Sequence, residues 1–375
     1  MKKRAGILTF HRARNIGTCL QAYAFQTYLE SQKIQSEFID YRPQYIEDSF
    51  GIFVKSLYRE AKKNWKTLFI FAVKTIIKIP FNYKREKAFE KFRQNYLKIS
   101  NLEIDTKAKL KETTFPYDFY FFGSDQIWNP DLTEGVDLSF FGDFVGNNGK
   151  KISYAASIGK NELNPLEMNR LLLGINFLDA VGVREKSAAE LLQEKTDKKV
   201  FINIDPTLLI DKEIWIKFIG KKRISEKYIL VYVLEINKEL IDLVRKIAEK
   251  KDLKVVYLDM KNYYGKRGIS RYSAGPEEFL NLIYFADYVI TNSFHGTVFS
   301  VIFEKQFFSV PHKSRSTRVV DLLSELGIPE RLIYTAQTDK NIDEEIRYSQ
   351  VKSKLKIMRQ KSETYLADVL EVKRH

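Results

Sequence analysis

The stretch "YVITNSFHGTVFSVIF" at residues 288–303 decides the fold. Residues 288–290 have the apolar composition of a short buried strand, and residues 298–303 have that of a helix that faces a core. The polar cluster at residues 291–297 therefore lies at a strand-to-helix turn. In a parallel α/β sheet this turn is at the carboxyl ends of the strands, where such folds bind their ligands.

Strand and helix patterns alternate in the same way along most of the chain. Strands separated by helices of about ten to fifteen residues favour parallel sheets built from βαβ units. The pattern forms two series that meet near "IDPTLLIDKEIW", residues 204–215. We predict an α/β fold of two doubly wound, Rossmann-like domains that face a cleft. The first domain spans residues 1–210 with a helical insertion at about 50–100, the second spans 211–342, and a last helix within 343–375 packs back on the first domain.

The composition restricts the class of protein. With 62 Lys and Arg against 48 Asp and Glu, the formal net charge is +14, which favours an anionic partner. The single cysteine, Cys19, excludes an internal disulfide bond, and the start "MKKRAGILTF" lacks the pattern of a signal peptide. No uncharged apolar run reaches the length of a membrane span, about eighteen residues. We therefore expect a cytoplasmic protein.

The basic residues are concentrated at residues 52–98, which contain thirteen basic and three acidic residues. The segment also carries bulky apolar side chains, among them Trp65, Phe69 and Phe71. Two interpretations stay open: a helical insertion packed on its own domain, or a basic amphipathic helix that lies on an anionic membrane surface. The second would make the protein peripheral on the inner face of the cytoplasmic membrane.

Polar and basic residues after three predicted strands indicate a site for a small, multiply charged anion. The turn at residues 292–297 offers hydrogen-bonding groups and a helix N-terminus, which attracts anions. The next strand leads into "VPHKSRSTRVVDLL", residues 310–323, where Lys313 and His312 are basic neighbours. In the first domain an arginine after "AVGV" can hold a carboxylate or phosphate bidentately. The predicted anion-binding residues are Arg184, Ser293, His295, Gly296, Thr297, Arg315 and Arg318.

Two strand ends of the first domain carry side chains of the types that contact sugars. They are "HRARNIGTCLQAYAF" at residues 11–25 and "FFGSDQIWNP" at residues 121–130. Asp125 is the best candidate for a general base towards a hydroxyl group, although a helix cap would explain the same residue. The residues predicted to contact an acceptor are His11, Asn15, Gly17, Ser124, Gln126, Trp128 and Asn129.

Several kinds of site have no sequence support. The chain has no D-x-D motif, no zinc-ligand spacing among its four histidines and one cysteine, and no G-x-x-x-x-G-K-[ST] loop. No nucleic-acid-binding module is recognisable. We expect neither a metal, a cofactor nor a nucleic-acid partner.

Seven stretches taken together resemble the polysaccharide pyruvyl transferase family. They are "GILTFHRARNIGTCLQAYAF" (6–25), "FFGSDQIWNP" (121–130), "ISYAASIG" (152–159), "VGVREKSAAELL" (181–192), "IDPTLL" (204–209), "TNSFHGTVFSVIF" (291–303) and "STRVVDLLSELGI" (316–328). The resemblance implies a fold like the two-domain glycosyltransferases called GT-B. It also implies that phosphoenolpyruvate, as co-substrate, gives its pyruvyl group to hydroxyls of a sugar or lipid-linked oligosaccharide, which forms a ketal.

The resemblance also implies roles for particular residues. By position, the family's donor-binding arginine corresponds to Arg184, its essential histidine to His295 and its basic residue in the following loop to Arg318. Phosphoenolpyruvate carries about three negative charges near neutrality, which suits these residues. His295 would stabilise or protonate the leaving phosphate, and Asp125 would accept a proton from a sugar hydroxyl.

Other functions stay open at this point. Ser293 stands where several family members have an arginine, so Arg315 or Lys313 would have to supply one donor contact. A GT-B glycosyltransferase that uses a nucleotide sugar for envelope polysaccharide synthesis is the nearest alternative. A non-enzymatic basic nucleic-acid-binding protein and a scaffold with a degenerate pocket are the others.

Overall fold

The computed structural model describes residues 3–45, 65–146, 148–160, 162–236, 238–258, 263–310, 317–333 and 342–371, with no side-chain description for residues 65–77. Its described strands are in two parallel sheets, as the alternating sequence pattern predicts. Strands β3 (Phe119–Phe122) and β7 (Tyr228–Tyr232) are buried along their full length, as is usual in parallel sheets, whose two faces are covered by helices. This explains their continuous apolar sequences, "FYFF" and "YILVY".

The first sheet has the order β2-β1-β3-β4, and isolated parallel bridges extend it to the parallel pair β5-β6. Its strands are β1 (Arg4–Leu8), β2 (Gln35–Phe38), β3 (Phe119–Phe122), β4 (Lys150–Ser153), β5 (Val181–Val183) and β6 (Val200–Ile202). The associated helices are α1 (Ile16–Ser31), α2 (Trp65–Tyr96), α3 (Lys107–Glu112), α4 (Pro165–Phe177), α5 (Lys186–Gln193) and α6 (Lys212–Ile216).

The second sheet has the order β11-β10-β7-β8-β9 and is also entirely parallel. Its strands are β7 (Tyr228–Tyr232), β8 (Lys254–Tyr257), β9 (Gly268–Ser270), β10 (Tyr288–Thr291) and β11 (Gln306–Ser309). The helices are α7 (Lys238–Lys250), α8 (Pro276–Phe285), α9 (Phe294–Ile302), α10 (Thr317–Leu326) and α11 (Tyr348–Leu370). The strand order reverses between β1 and β3 and between β7 and β10, which is the position where open α/β sheets usually bind their ligands.

One hydrophobic core runs through both domains. Helix α1 of the first domain packs against α8 and α9 of the second. Trp215 of α6 is fully buried at this junction, with its ring centroid 5.8 Å from that of Tyr23 and 4.9 Å from that of Phe299. The carboxyl ends of the two sheets are therefore held close together.

Helix α11 returns from the second domain to the first. The Tyr365 hydroxyl donates to the Ser153 carbonyl oxygen over 2.7 Å, and the Ile204 amide donates to Ser362 Oγ over 2.9 Å. The helix therefore covers the edge of the first sheet at β5 and β6.

The basic segment at residues 52–98 is described only in part. Phe89 and Phe92 of α2 are buried, and Arg93 pairs with Glu90 over 2.7 Å. Residues 46–64 lie outside the described residues, so the contact with an anionic membrane surface stays a prediction. Among the described helices, none combines the length and the apolar character that crossing a membrane requires.

Candidate active site between the two domains

Five strand ends place functional side chains in the space between the two sheets. The loop after β1 leads to Gly17, β3 leads to Asp125, and β5 leads directly to Arg184. Asp205 follows β6, and His295 is in the first turn of α9 after β10. The structure thus brings the two predicted catalytic residues, Asp125 and His295, close to Arg184.

Asp205 is the residue at the centre that the sequence reasoning missed. Its Oδ2 accepts a hydrogen bond from Arg184 Nη1 over 2.8 Å and lies 3.5 Å from Nε2 of His295. Burial opposes the ionised form of Asp205, but His295 and Arg184 more than offset this effect and lower its pKa. Asp205 is therefore a buried carboxylate that bridges groups from both domains.

Arg184 is almost completely buried. Its Cζ lies 4.5 Å from the ring centroid of Phe294, which is a cation–π contact between the domains. Nη1 donates a hydrogen bond to Asp205, whereas Nε and Nη2 have no hydrogen-bond partner among the described residues. Two guanidinium nitrogen atoms thus stay unsatisfied inside the protein, where an unmade hydrogen bond is costly.

His295 occupies space that a missing side chain leaves open. A Cβ atom on Gly17 would lie only 2.0 Å from Nδ1 of His295 and 2.3 Å from its Cγ. Nε2, on the other side of the ring, has no hydrogen bond to the described residues. The first turn of α1 and the first turn of α9 can therefore touch only because residue 17 is glycine.

Gly17→Ala should therefore destabilise the protein, although alanine is the better helix former by about 1 kcal/mol. The new methyl group overlaps the base of the His295 ring, so the ring or the two helix ends must move. Such overpacking costs about 1–3 kcal/mol, which chemical denaturation would measure. Gly220→Ala is the control, because no atom lies within 4 Å of the added Cβ. An equal stability of Gly17→Ala and the parent chain would disprove the close contact.

Asp125 is held ionised beside the same cluster. Its Oδ2 accepts a hydrogen bond from Thr18 Oγ1 over 2.5 Å, and its Oδ1 accepts one from the Gln126 amide over 2.8 Å. Burial raises its pKa, but Arg184 and His295 outweigh that effect, so the net shift is downward. The residue is in the form that can accept a proton.

Glu185 is a second buried carboxylate next to Arg184. Burial has the largest effect on it and raises its pKa against the opposing charge of Arg184. Ser157 Oγ donates a hydrogen bond to it, and its Oε2 has no partner among the described residues. The sequence suggested a basic site, whereas the structure places buried acidic side chains beside the basic ones.

A cavity of about 1610 Å³ opens beside this cluster. Arg184, Asp205, Phe294 and Arg318 line one part of it. Another wall is a single stripe of α11 that contains Lys354, Ile357, Met358, Lys361 and Thr364. Among the described residues, His295 and Asp125 are not in the lining, so they lie behind its surface.

Three of the predicted acceptor contacts belong to the protein interior instead. Trp128 stacks on Phe141 with the ring centroids 4.7 Å apart, and its Nε1 donates to the Phe140 carbonyl oxygen. His11 is fully buried, with its two ring nitrogens next to Asp40 and the Thr9 carbonyl oxygen. Asn129 Nδ2 donates to Gln126 Oε1 in its own loop and to the Gly159 carbonyl oxygen in the segment after β4. In this structure their polar atoms serve the fold, and their contact with a ligand stays a prediction.

The other predicted acceptor residues also have structural partners. Asn15 caps α1, because its Oδ1 accepts from the Gly17 and Thr18 amides. Ser124 Oγ donates to Asp205 over 3.3 Å, which places it in the central cluster. Gln126 Oε1 accepts from Asn129. That Asn15, Gly17, Ser124 and Gln126 contact an acceptor stays a prediction.

The predicted donor residues divide into two groups. Ser293 begins α9, and this helix has no side-chain cap, which leaves its first turn to attract an anion. The Arg318 Cζ lies 5.7 Å from the ring centroid of Phe294, the same ring that Arg184 contacts. Gly296 and Thr297 are different: a Cβ on Gly296 would meet Thr291 Oγ1 at 2.1 Å, and Thr297 Oγ1 bonds to Ser309 Oγ over 2.7 Å. Their observed contacts are with the sheet and not with the cavity, so their part in donor binding stays a prediction.

The loop residues His312, Lys313 and Arg315 lie outside the described residues. Their part in donor binding stays a prediction. In the described part of the chain, no three His, Cys, Asp or Glu side chains form a cluster that would hold a metal ion.

Comparison with solved structures shows what fold this is. The chain is similar to a Listeria monocytogenes protein assigned as a UDP-N-acetylglucosamine 2-epimerase, with 13% identity, a TM-score of 0.55 and coverage of 100% of this chain and 98% of that one. It is also similar to the UDP-GlcNAc 2-epimerase of Methanocaldococcus jannaschii, with 12% identity, a TM-score of 0.51 and coverage of 99% and 100%. The predicted two-domain, Rossmann-like GT-B fold is thereby confirmed.

Comparison of sequences gives the family. A search of curated protein sequences gave no significant match. The model of the polysaccharide pyruvyl transferase family matches residues 15–314, which include Arg184, Asp205 and His295. The chain belongs to the polysaccharide pyruvyl transferase family.

Proposed function

We propose that the protein transfers the pyruvyl group of phosphoenolpyruvate to two hydroxyl groups of a sugar in a cell-surface polysaccharide or its lipid-linked precursor. The observation that carries this proposal is the pair of unsatisfied nitrogen atoms on buried Arg184, next to the unsatisfied Nε2 of His295. A compact anion with a carboxylate and a phosphate has the acceptor atoms that these groups lack. Family membership supports the same reaction type.

The donor would bind where the N-terminus of α9 meets Arg184 and Arg318. The two arginines approach one ring, that of Phe294, at 4.5 and 5.7 Å. Asp205 and Glu185 neutralise part of this positive charge before the donor arrives. This arrangement favours an anion that brings its own strong acceptors over a neutral ligand.

The chemistry moves two hydroxyl protons, one to carbon and one to the leaving phosphate. The first sugar hydroxyl loses its proton as its oxygen attacks C2 of phosphoenolpyruvate, and one proton is added to the methylene carbon C3 as the C2–C3 double bond becomes a single bond. A second hydroxyl then forms a bond to C2 while the bond from C2 to the phosphate oxygen breaks, and its proton leaves with inorganic phosphate, which completes the ketal. His295 would stabilise or protonate the departing phosphate, and Asp125 would take the proton from a hydroxyl. No step in this scheme requires a metal ion or a cofactor.

The acceptor sugar would approach through the cavity between β6, α10 and α11. Its volume of about 1610 Å³ exceeds what one phosphoenolpyruvate molecule fills, so donor and sugar fit together. Exposed Ile357 and Ile202 on its walls suit the apolar faces of sugar rings. Binding of residues 52–98 to an anionic leaflet would bring a lipid-linked acceptor near, on the inner face of the cytoplasmic membrane; flotation with anionic liposomes tests this.

The test is the thermal midpoint of the protein with phosphoenolpyruvate, compared with UDP, GDP and CMP sugars. A ligand at 100 times its Kd stabilises the folded state by about 2.7 kcal/mol, which corresponds to a rise of several degrees. We expect this rise with phosphoenolpyruvate alone, and its loss in Arg184→Met and His295→Ala. Exposed Arg223, which does not line the cavity, supplies the control Arg223→Met.

A rise with one nucleotide sugar and none with phosphoenolpyruvate would contradict the proposal. It would support the alternative of a GT-B-type glycosyltransferase, with Ser293 as the relevant departure from the family pattern. A response to neither ligand class, with Arg223→Met equal to the parent, would support a scaffold whose pocket is not used for catalysis.

A further inference from the structure

The two carboxylate oxygens of Asp205 contact different groups. Oδ1 accepts from the Thr207 amide over 3.0 Å and from Thr207 Oγ1 over 2.7 Å, and so caps the turn at Pro206–Leu208. Oδ2 faces the first and second domains at once, through Arg184 Nη1 at 2.8 Å and His295 Nε2 at 3.5 Å. Capping the turn requires Oδ1 alone.

The position of Oδ2 has no purely local explanation. A carboxylate without exposed side-chain surface is costly unless charged partners surround it. Its partners are the two groups proposed to bind the donor, together with Ser124 Oγ at 3.3 Å. An uncharged side chain would cap the same turn at a lower cost of burial.

We infer that Asp205 is a positioning residue, which orients Arg184 and His295 across the domain interface for the proposed donor site. On the guanidinium it takes Nη1 and leaves Nε and Nη2 for a ligand. On the imidazole it faces Nε2, so the N–H of neutral His295 is on Nε2 and not on Nδ1. This inference rests on the proposed function for its catalytic meaning, whereas the orientation of the ring can be measured without a substrate.

Asp205→Asn separates the two tasks. The amide oxygen can still accept both Thr207 bonds, but the negative charge towards Arg184 and His295 is lost. Asp137 offers a matched control: it is also buried, and its Oδ1 accepts from the Ser139 amide and caps the turn at Leu138–Phe141. Its other partners include Tyr41, and it does not line the cavity.

The first measurement is the ¹⁵N spectrum of the imidazole rings in the parent chain, Asp205→Asn and Asp137→Asn. The sequence has four histidines, and the signal that disappears in His295→Gln assigns His295. We expect the Nε2–H tautomer in the parent chain and in Asp137→Asn, and a mixture of tautomers in Asp205→Asn. An Nδ1–H tautomer of His295 in the parent chain overturns the inference even if neither Asp205→Asn nor Asp137→Asn folds.

The second measurement is the phosphoenolpyruvate concentration that gives half of the full midpoint shift. We expect it to rise about 10- to 100-fold in Asp205→Asn, as for loss of a hydrogen bond to a charged group, and to stay unchanged in Asp137→Asn. A parent-like tautomer together with a parent-like concentration in Asp205→Asn would overturn the inference. If the parent chain does not respond to phosphoenolpyruvate, the proposed function fails, and the imidazole spectrum still decides whether Asp205 orients His295.

Discussion

Replacing Asp125 by asparagine is expected to lower turnover by about 10²- to 10⁴-fold, the usual contribution of a general base, while phosphoenolpyruvate binding stays intact. Asparagine has the same shape and can accept the Gln126 amide hydrogen bond, but it cannot take a proton from a hydroxyl. Arg184 and His295 keep Asp125 ionised in the parent chain by lowering its pKa against the effect of burial. The carboxylate is thus ready to accept a proton before the sugar binds.

Phosphate release from phosphoenolpyruvate, with a panel of methyl hexopyranosides as acceptors, measures this loss. The thermal midpoint shift with phosphoenolpyruvate should equal that of the parent chain. Asp131→Asn is the control, because Asp131 is exposed and pairs with Lys160 at the surface. Undiminished phosphate release by Asp125→Asn would assign the base to another group, such as Asp205, another buried carboxylate of the cluster.

Trp215→Ala is expected to lower the free energy of unfolding by about 3–5 kcal/mol, the usual cost of truncating a buried Trp. Its ring lies against Tyr23 on one side and Phe299 on the other, and its Nε1 donates to the Thr207 carbonyl oxygen over 3.2 Å. Tyr23 belongs to the first domain and Phe299 to the second, so the loss affects the contact between them. Guanidinium denaturation followed by tryptophan fluorescence and circular dichroism measures it.

The neighbouring residue supplies the comparison for this variant. Ile216 is 36% exposed, so Ile216→Ala should cost much less. A cost below about 1 kcal/mol for Trp215→Ala would show that the two domains hold together without this ring. A separation into two unfolding transitions would instead show that Trp215 couples them.

The architecture was predictable because strong local signals agree with it. The apolar faces of α8 and α10 begin after Gly275 and after a cluster of small polar residues, and the two helices span Pro276–Phe285 and Thr317–Leu326. Strand β9 was missed, since "GIS" at 268–270 has neither the length nor the apolar content of a buried strand. The segment "RLIY" has the apolar content of a short strand, and its described residues, 331–333, make a single bridge, between Leu332 and Ser309.

The centre of the site was predictable only where a residue type has few other uses. An arginine directly after a buried strand and a histidine in a polar turn pointed to Arg184 and His295. Asp205 was not selected, because an aspartate before proline is also the ordinary start of a turn. Here Asp205 both caps the turn and contacts Arg184 and His295. Its position at a strand end, like that of Arg184, was the available signal.

The first-domain contacts were harder to predict, because a sequence does not tell which way a loop side chain points. In "FFGSDQIWNP" the ring of Trp128 points into the core and stacks on Phe141. The side chain of Asp125, two positions before Ile127, points towards Thr18 instead. Both orientations follow from tertiary packing. Residue types that contact sugars are therefore weak predictors when the core offers the same ring stacking and hydrogen bonds.

The return of α11 to the first domain has a consequence for folding during synthesis. The edge of the first sheet at β6 is covered by a helix that leaves the ribosome after the whole second domain. Domains usually fold in the order in which they are made, but here the amide of Ile204 can donate to Ser362 Oγ only after the whole second domain has been made. In the nascent first domain, Phe201 and Tyr154 therefore lack their ring contacts with Tyr365 until the second domain and α11 have been made.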